Sequence, residues 1–304
     1  MEYSVNNIDE FLSCIKKIKN QENDSLLWFR GHNRSYYNLQ PSLLRYAIQV
    51  TNSVCTPIAF TSPNYNNGHG ETLVVPPIKK TLESFKSLFQ NNEYCKLTIG
   101  KPENDLDWYF LAQHYGIPTT LLDWSEDPFI ALFFSLYEYD ENDTNVTIYV
   151  FSPNNYNREV SKCLFKETII NEPLTINEQS LNFLLKYLNT DDWPYFPICI
   201  KPNIKDYRII RQSGNFIIHG CNFQPLDLQY FNYLFHKIYI PKSAYNYFNN
   251  ILNILQLNDK VIYGLDKTLD KESKKIKAKA QKQFADFIQD LHKELTPPPF
   301  SFNH

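Results

Sequence analysis

Glycine is scarce in this chain: eight residues in 304. With so few, neither GxxxxGK[ST] nor GxGxxG occurs, which argues against a P-loop or a Rossmann dinucleotide turn. HExxH and GxSxG are also absent, so neither a zincin helix nor a nucleophile elbow is expected. The six cysteines, at 14, 55, 95, 163, 199 and 221, include no CxxC pair and no recurrent metal-ligand spacing. They read as small buried apolar residues, and no metal is expected. No uninterrupted apolar run approaches membrane-spanning length, and MEYSVNNIDE has neither a basic nor an apolar leader segment. The expectation is a soluble, cytoplasmic protein without a membrane partner. The formal net charge of −3 supplies no global attraction to nucleic acid or to an acidic membrane, so any anion site must be local.

What is present suffices for a large core, since 43% of the residues are hydrophobic. The 21 tyrosines each need a packing surface and, where buried, a partner for the hydroxyl. Apolar spacing predicts helices over 8–18, 81–89, 105–115, 128–137, 164–188, 244–255 and 273–295. Strands are expected at 26–30, at Leu121 and Leu122, and over 146–151, 208–219 and 237–240. Residues 51–78, with four prolines and two glycines among Asn and Ser, read as a loop or flap. The interspersed order predicts an α+β fold with a mixed, largely antiparallel sheet flanked by helices. The Lys-rich amphipathic helix and Pro-rich tail at 267–304 form an extension to a domain spanning 1–266. The lysines of 267–282 suit either nucleic-acid phosphates or a solvated helix face, and the helix is also a candidate surface for a partner or antitoxin.

The densest chemistry lies in 113–127, QHYGIPTTLLDWSED, between two helical patterns. A helix, a Gly/Pro turn and a short strand with polar residues at its end present side chains on a rigid support. A second element, Trp28-Phe29-Arg30-Gly31, holds an arginine at a strand end. Its guanidinium fork suits a phosphate or carboxylate, or an internal ion pair with Asp123. Ser125 either bonds a ligand or caps the helix starting near Pro128, and His114 is either a base near neutral pKa or a satisfied core histidine.

These elements resemble the FRG domain. That family opens with aromatic-Arg-Gly and Pro-Ser-Leu-x-Arg, here Phe29, Arg30, Gly31 and then Pro41, Ser42, Leu43, Leu44, Arg45. Its central block is similar to Gln113, His114, Gly116, Pro118, Thr119, Thr120, Leu121, Leu122, Asp123, Trp124, except that an arginine usually stands at Thr120. An Arg…Gln-x-Gly-x-Phe strand is met by Arg208, Gln212, Gly214 and Phe216, and an Ile-x-Ile-Pro element by Ile238 to Pro241.

More distantly, the chain resembles ADP-ribosyltransferases of the Arg-Ser-Glu type, which carry aromatic-Arg-Gly on the first strand of a split sheet. That resemblance implies an NAD-consuming enzyme modifying a protein, RNA or DNA, of the sort used as a bacterial toxin or antiphage effector. Arg30, with Gly31, Trp124 and Ser125, would hold NAD as co-substrate. The family's glutamate has no counterpart in 208–219, where Gln212 alone is positioned like it, so Asp123, Gln212 and His114 are the expected catalytic groups. Two alternatives stand beside it: a non-catalytic module recognising a nucleotide or phosphorylated ligand, and a purely structural role with Arg30 and Asp123 paired internally.

Overall fold

The computed structural model describes residues 1–34, 36–46, 48–51, 71–74, 78–90, 102–140, 142, 144–164, 169–189, 193–203, 207–263 and 267–295. In chain order the elements are β1 (Glu2–Ser4), α1 (Ile8–Glu22), β2 (Trp28–His32), β3 (Ile48–Thr51), β4 (Glu71–Val74), α2 (Ile78–Gln90), α3 (Asp105–His114), β5 (Leu121–Ser125) and α4 (Pro128–Leu136). They continue as β6 (Asn145–Phe151), α5 (Pro153–Leu164), β7 (Leu174–Thr175), α6 (Glu178–Leu185), β8 (Ile198–Lys201), α7 (Tyr207–Arg211), β9 (Gly214–Ile218) and β10 (His236–Pro241). The chain closes with α8 (Tyr245–Ile254), α9 (Asp259–Tyr263) and α10 (Lys267–Leu295).

Eight strands form one mixed sheet in the order β1-β10-β6-β2-β5-β9-β8-β7. The two outermost pairings, β1 with β10 and β7 with β8, are parallel and the rest antiparallel. The α+β class and the mixed, largely antiparallel sheet expected from the sequence are therefore present. The sheet is also divided: β2 and β5 share a single register pair, Phe29 with Ser125, whereas β2 and β6 share five. Beyond Phe29 the central strands fork.

One face of the sheet carries two apolar clusters, one on each side of the fork. Phe29, Ile148, Val150, Ile238 and Ile240 meet α1, α4 and α8, with Phe11, Ile130, Leu132 and Phe248 at the centre. Leu121, Phe216, Ile218 and Ile200 meet α2, α3 and α10 through Phe85, Phe110 and Phe284. On the opposite face Trp28, Trp124, Phe151 and Ile217 pack with Tyr156 and Val160 of α5 and with Phe231 and Phe235. Alternation along the strands distributes these side chains, since successive residues point to opposite faces.

Local signals account for the helices bordering the fork. Asn104 caps α3 through Asp107 N, and the helix ends where Gly116 takes a left-handed φ of +76°, with Gly116 N bonding Gln113 O and Ile117 N bonding Ala112 O. Helix α4 starts with Pro128 in its first turn and is capped by Asp127, whose carboxylate accepts from Phe129 N. The cap expected at Ser125 thus belongs to Asp127.

Three expectations need correction. The strand over 208–219 is half helix: residues 207–211 form α7, Ser213 turns at φ +45°, and only Gly214–Ile218 is strand. Two adjacent isoleucines in RIIR satisfy either period over so short a run. Of the single helix expected over 164–188, only Glu178–Leu185 (α6) is α-helical among the described residues beyond Leu164, where α5 ends; a 3-10 turn follows α6 over Lys186–Leu188, and β7 follows Pro173, because proline cannot continue a helix. The loop over 51–78 contains β4, antiparallel to β3, while 52–70 lies outside the described residues. The C-terminal helix begins at Lys267 and buries Ile276, Ala280, Phe284 and Leu291, so it is packed against α2 and is part of the core. No described helix is long and apolar enough to cross a membrane.

Candidate functional site at the fork of the sheet

The fork opens into a cleft of about 360 Å³ lined by all seven residues that the sequence singled out: Arg30, Gly31, His114, Asp123, Trp124, Ser125 and Gln212. Its walls come from both clusters, with Ile130, Ala131 and Phe134 of α4 on one side and Phe110, Ile209 and Phe216 on the other. A volume of this size lies in the range of small-molecule sites.

Arg30 sits on the β2 face shared with Trp28 and His32, whereas Asp123 points to the face of Phe29 and Gly31. The guanidinium reaches Asp123 through the fork. Its Nη1 donates to the Asp123 carbonyl oxygen at 2.6 Å, replacing a backbone donor that β2 no longer offers there, and lies 3.8 Å from Oδ2 of the same residue. Its Nε donates to His32 Nε2 at 3.0 Å. Since a guanidinium only donates, Nε2 must be the acceptor, and Nδ1 then carries the proton that bonds the Tyr37 carbonyl at 3.2 Å. His32 is therefore held neutral: burial and the Arg30 charge push its pKa down to about 3. Burial lowers the Arg30 pKa and Asp123 opposes that shift, and an arginine remains charged throughout.

Asp123 is the exposed carboxylate of the cleft, with its side chain 58% accessible. It is oriented by Gln113, whose Nε2 donates to Asp123 Oδ2 at 3.0 Å and whose Oε1 accepts from the Thr119 hydroxyl. Thr119 is tied in turn to the turn after β2, because its N–H bonds Ser42 Oγ at 3.2 Å and its carbonyl accepts from Leu43 N at 3.0 Å. Thus the Gln-His and Pro-Ser-Leu elements, far apart in sequence, form one brace behind the carboxylate. Thr120, where an arginine is usual in the resembling family, is fully buried and pairs with the Tyr109 hydroxyl at 3.1 Å.

The remaining residues divide by role. Ser125 Oγ donates to the Gln212 carbonyl at 2.6 Å and accepts from Asp127 N at 3.0 Å, which leaves it buried and engaged as a strut between β5 and the turn after α7. Gln212 lies in that turn, and its Nε2 is buried without a partner among the described residues, a donor held in the cleft wall. His114 ends α3 with its ring against Tyr115. Trp124 turns its indole to the face opposite the Asp123 side chain, where it packs against Phe151 and Phe235. At Gly31 a Cβ would lie 2.0 Å from Ala131 O and 2.5 Å from Ser135 N, so only glycine lets α4 close on β2.

Arg45 was not among the expected site residues. It lines the cleft, donates to the Gln40 carbonyl at 2.9 Å and stacks over Tyr37 at 5.8 Å. Its place at the end of Pro-Ser-Leu-x-Arg was the available signal. With Arg30 it gives the cleft two guanidinium groups against the single carboxylate of Asp123, an excess that suits an anionic ligand. Among the described residues no group of three or more His, Cys, Asp or Glu is placed to hold a metal ion.

Comparison with curated proteins and with solved structures finds no match. Residues 25–144 match the FRG domain family, a stretch that runs from the approach to β2 through α4 and carries Arg30, Gln113, Asp123 and their brace. Residues 25–144 are thus an FRG domain, and that segment supplies β2 and β5, the two sides of the fork.

Proposed function

We propose that this chain is an NAD-consuming enzyme of the ADP-ribosyltransferase kind, acting on a macromolecular target. Arg30 and Arg45 hold the pyrophosphate, and the unpaired Gln212 Nε2 donates to a ribose hydroxyl. Asp123 supplies negative charge beside the ribose as its bond to nicotinamide breaks. Nicotinamide leaves with the bonding electrons and the ribose carbon becomes cationic, so a nearby carboxylate lowers the barrier by acting where charge develops. The target nucleophile then adds to that carbon and gives its proton to Asp123 or to solvent.

One observation carries the reading: Arg30 and Asp123, 93 residues apart, meet in a single cleft at 3.8 Å with the carboxylate exposed and aimed by Gln113. An exposed aspartate held by an amide serves the same electrostatic purpose as the carboxylate that β9 lacks. The test is release of labelled nicotinamide from NAD by wild type, Arg30→Ala and Asp123→Asn, with folding checked by circular dichroism. Turnover lost in both folded variants is the expected result. Saturable NAD binding without turnover would instead support a non-catalytic nucleotide-binding module, a reading favoured by the absence of any carboxylate from Gly214–Ile218. Absence of both binding and turnover overturns both readings.

A further inference from the structure

We infer that the macromolecular partner is a single-stranded nucleic acid, bound along a track of aromatic and cationic side chains from the cleft mouth onto α10; this rests on the enzymatic reading above. Contacts join its aromatic part from the cleft mouth to α10, and the lysines stand on that same helix. At the cleft, Tyr37 meets the His32 ring edge-on at 6.2 Å and carries the Arg45 guanidinium above it. Tyr36 packs edge-on against Tyr37 at 5.0 Å and is 67% exposed. Next to Arg45, Tyr46 is 43% exposed and meets Phe284 of α10 at 5.2 Å.

Helix α10 also passes close to the border of the cleft. The Lys277 side chain lies over Gly116, where an added Cβ would be 2.9 Å from Lys277 Cε, and Gly116 is two residues beyond the cleft residue His114. Lys277, Lys279 and Lys282 are exposed along this part of the helix with no acidic residue among them; Asp270 and Glu272 precede them and Asp286 and Asp290 follow. The net charge of the chain is −3, so this local cation density is not a by-product of a basic composition.

Lysines alone would serve any polyanion. Exposed tyrosine rings beside them distinguish the ligand, because unpaired bases stack on aromatic faces while lysines follow the backbone. A duplex hides those faces and an acidic protein has none. The dinucleotide cleft then lies at one end of the track, where a base or sugar of the bound strand is presented to the reacting ribose.

The experiment measures binding of a fluorescent single-stranded oligonucleotide, DNA and RNA in parallel, to the full chain without NAD and across a salt series. Binding should weaken steeply with salt. The triple variant Lys277→Gln, Lys279→Gln, Lys282→Gln should lower the slope of log K against log salt by about 2. Tyr36→Ala, at a surface position, should weaken binding about tenfold with the slope unchanged. Poly-glutamate and duplex DNA serve as competitors. No binding at low salt, equal competition by poly-glutamate, or indifference to both variants would overturn the inference. The two readings fail separately. Nicotinamide release without oligonucleotide binding sinks the partner alone, whereas oligonucleotide binding without NAD binding or turnover sinks the enzyme.

Discussion

Arg30 donates from Nη1 to the backbone carbonyl of Asp123 at 2.6 Å and lies 3.8 Å from its carboxylate, across strands that share one register pair. An arginine that bridges strands and also faces a cleft has two functions to lose. Arg30→Lys keeps the charge but cannot serve His32 Nε2 and the Asp123 carbonyl together. The expected outcome is a loss of about 1–3 kcal/mol of stability from the unmet acceptors, together with weaker NAD binding. Urea denaturation and binding titration on the same preparation check it; a lysine variant equal to wild type in both would show that the bridge is dispensable.

Gln113→Ala removes the amide that aims the Asp123 carboxylate and leaves the Thr119 hydroxyl without its acceptor. Nicotinamide release should fall about tenfold, roughly 1.4 kcal/mol in the barrier, through kcat more than KM, since Gln113 acts through Asp123. A change confined to KM would place Gln113 on the ligand instead.

Gly31→Ala forces a methyl group into the backbone of α4, at 2.0 Å from Ala131 O. Backbone cannot rotate away as a side chain can, so a cost of about 3 kcal/mol or more is expected from overpacking. Chemical denaturation decides it, and a loss below about 1 kcal/mol would mean that α4 shifts freely on the sheet.

Acid should destabilise the fold through two buried histidines. His32 and His219 are both buried, with pKa pushed down to about 3 from 6.5. Between those values the unfolded chain binds protons that the folded chain does not, so stability falls as pH drops through that window. Near pH 5 each histidine accounts for about 2 kcal/mol. Unfolding free energies at pH 7 and pH 5 measure the sum, and His219→Leu should remove about half of the difference.

Phe284→Ala tests whether α10 is a core element. Phe284 is 5% exposed, in the same cluster as Phe85 and Phe110. A loss of about 3 kcal/mol is expected, whereas a free-standing extension would lose almost nothing.

Much of this arrangement was legible in the chain because side-chain period is a local property. The helix over 128–137 and the short strand at Leu121 and Leu122 that leads into Asp123 needed only neighbouring residues. What failed was either too short or too distant. RIIR is one helical turn whose two isoleucines fit a strand equally well, so Arg208 and Gln212 were put on one strand with Gly214, when Arg208 lies in α7 and Gln212 in the turn before β9. Arg45 reaches the cleft only because the turn after β2 is tied to Thr119, a contact across 77 residues that no spacing announces.

The single β2–β5 pair also has a mechanical corollary. On one face the two halves of the sheet carry separate clusters, and beside the cluster they share on the other face they are joined across the fork by Phe29 with Ser125 and by the Arg30 bridge. These halves resemble the jaws of a pair of tongs with the cleft between the tips. A ligand that bonds Arg30 on one jaw and Gln212 on the other adds a cross-tie where the backbone supplies almost none. Occupancy would therefore stiffen the whole sheet, and the molecule would register its ligand as a change in compliance as well as in contacts.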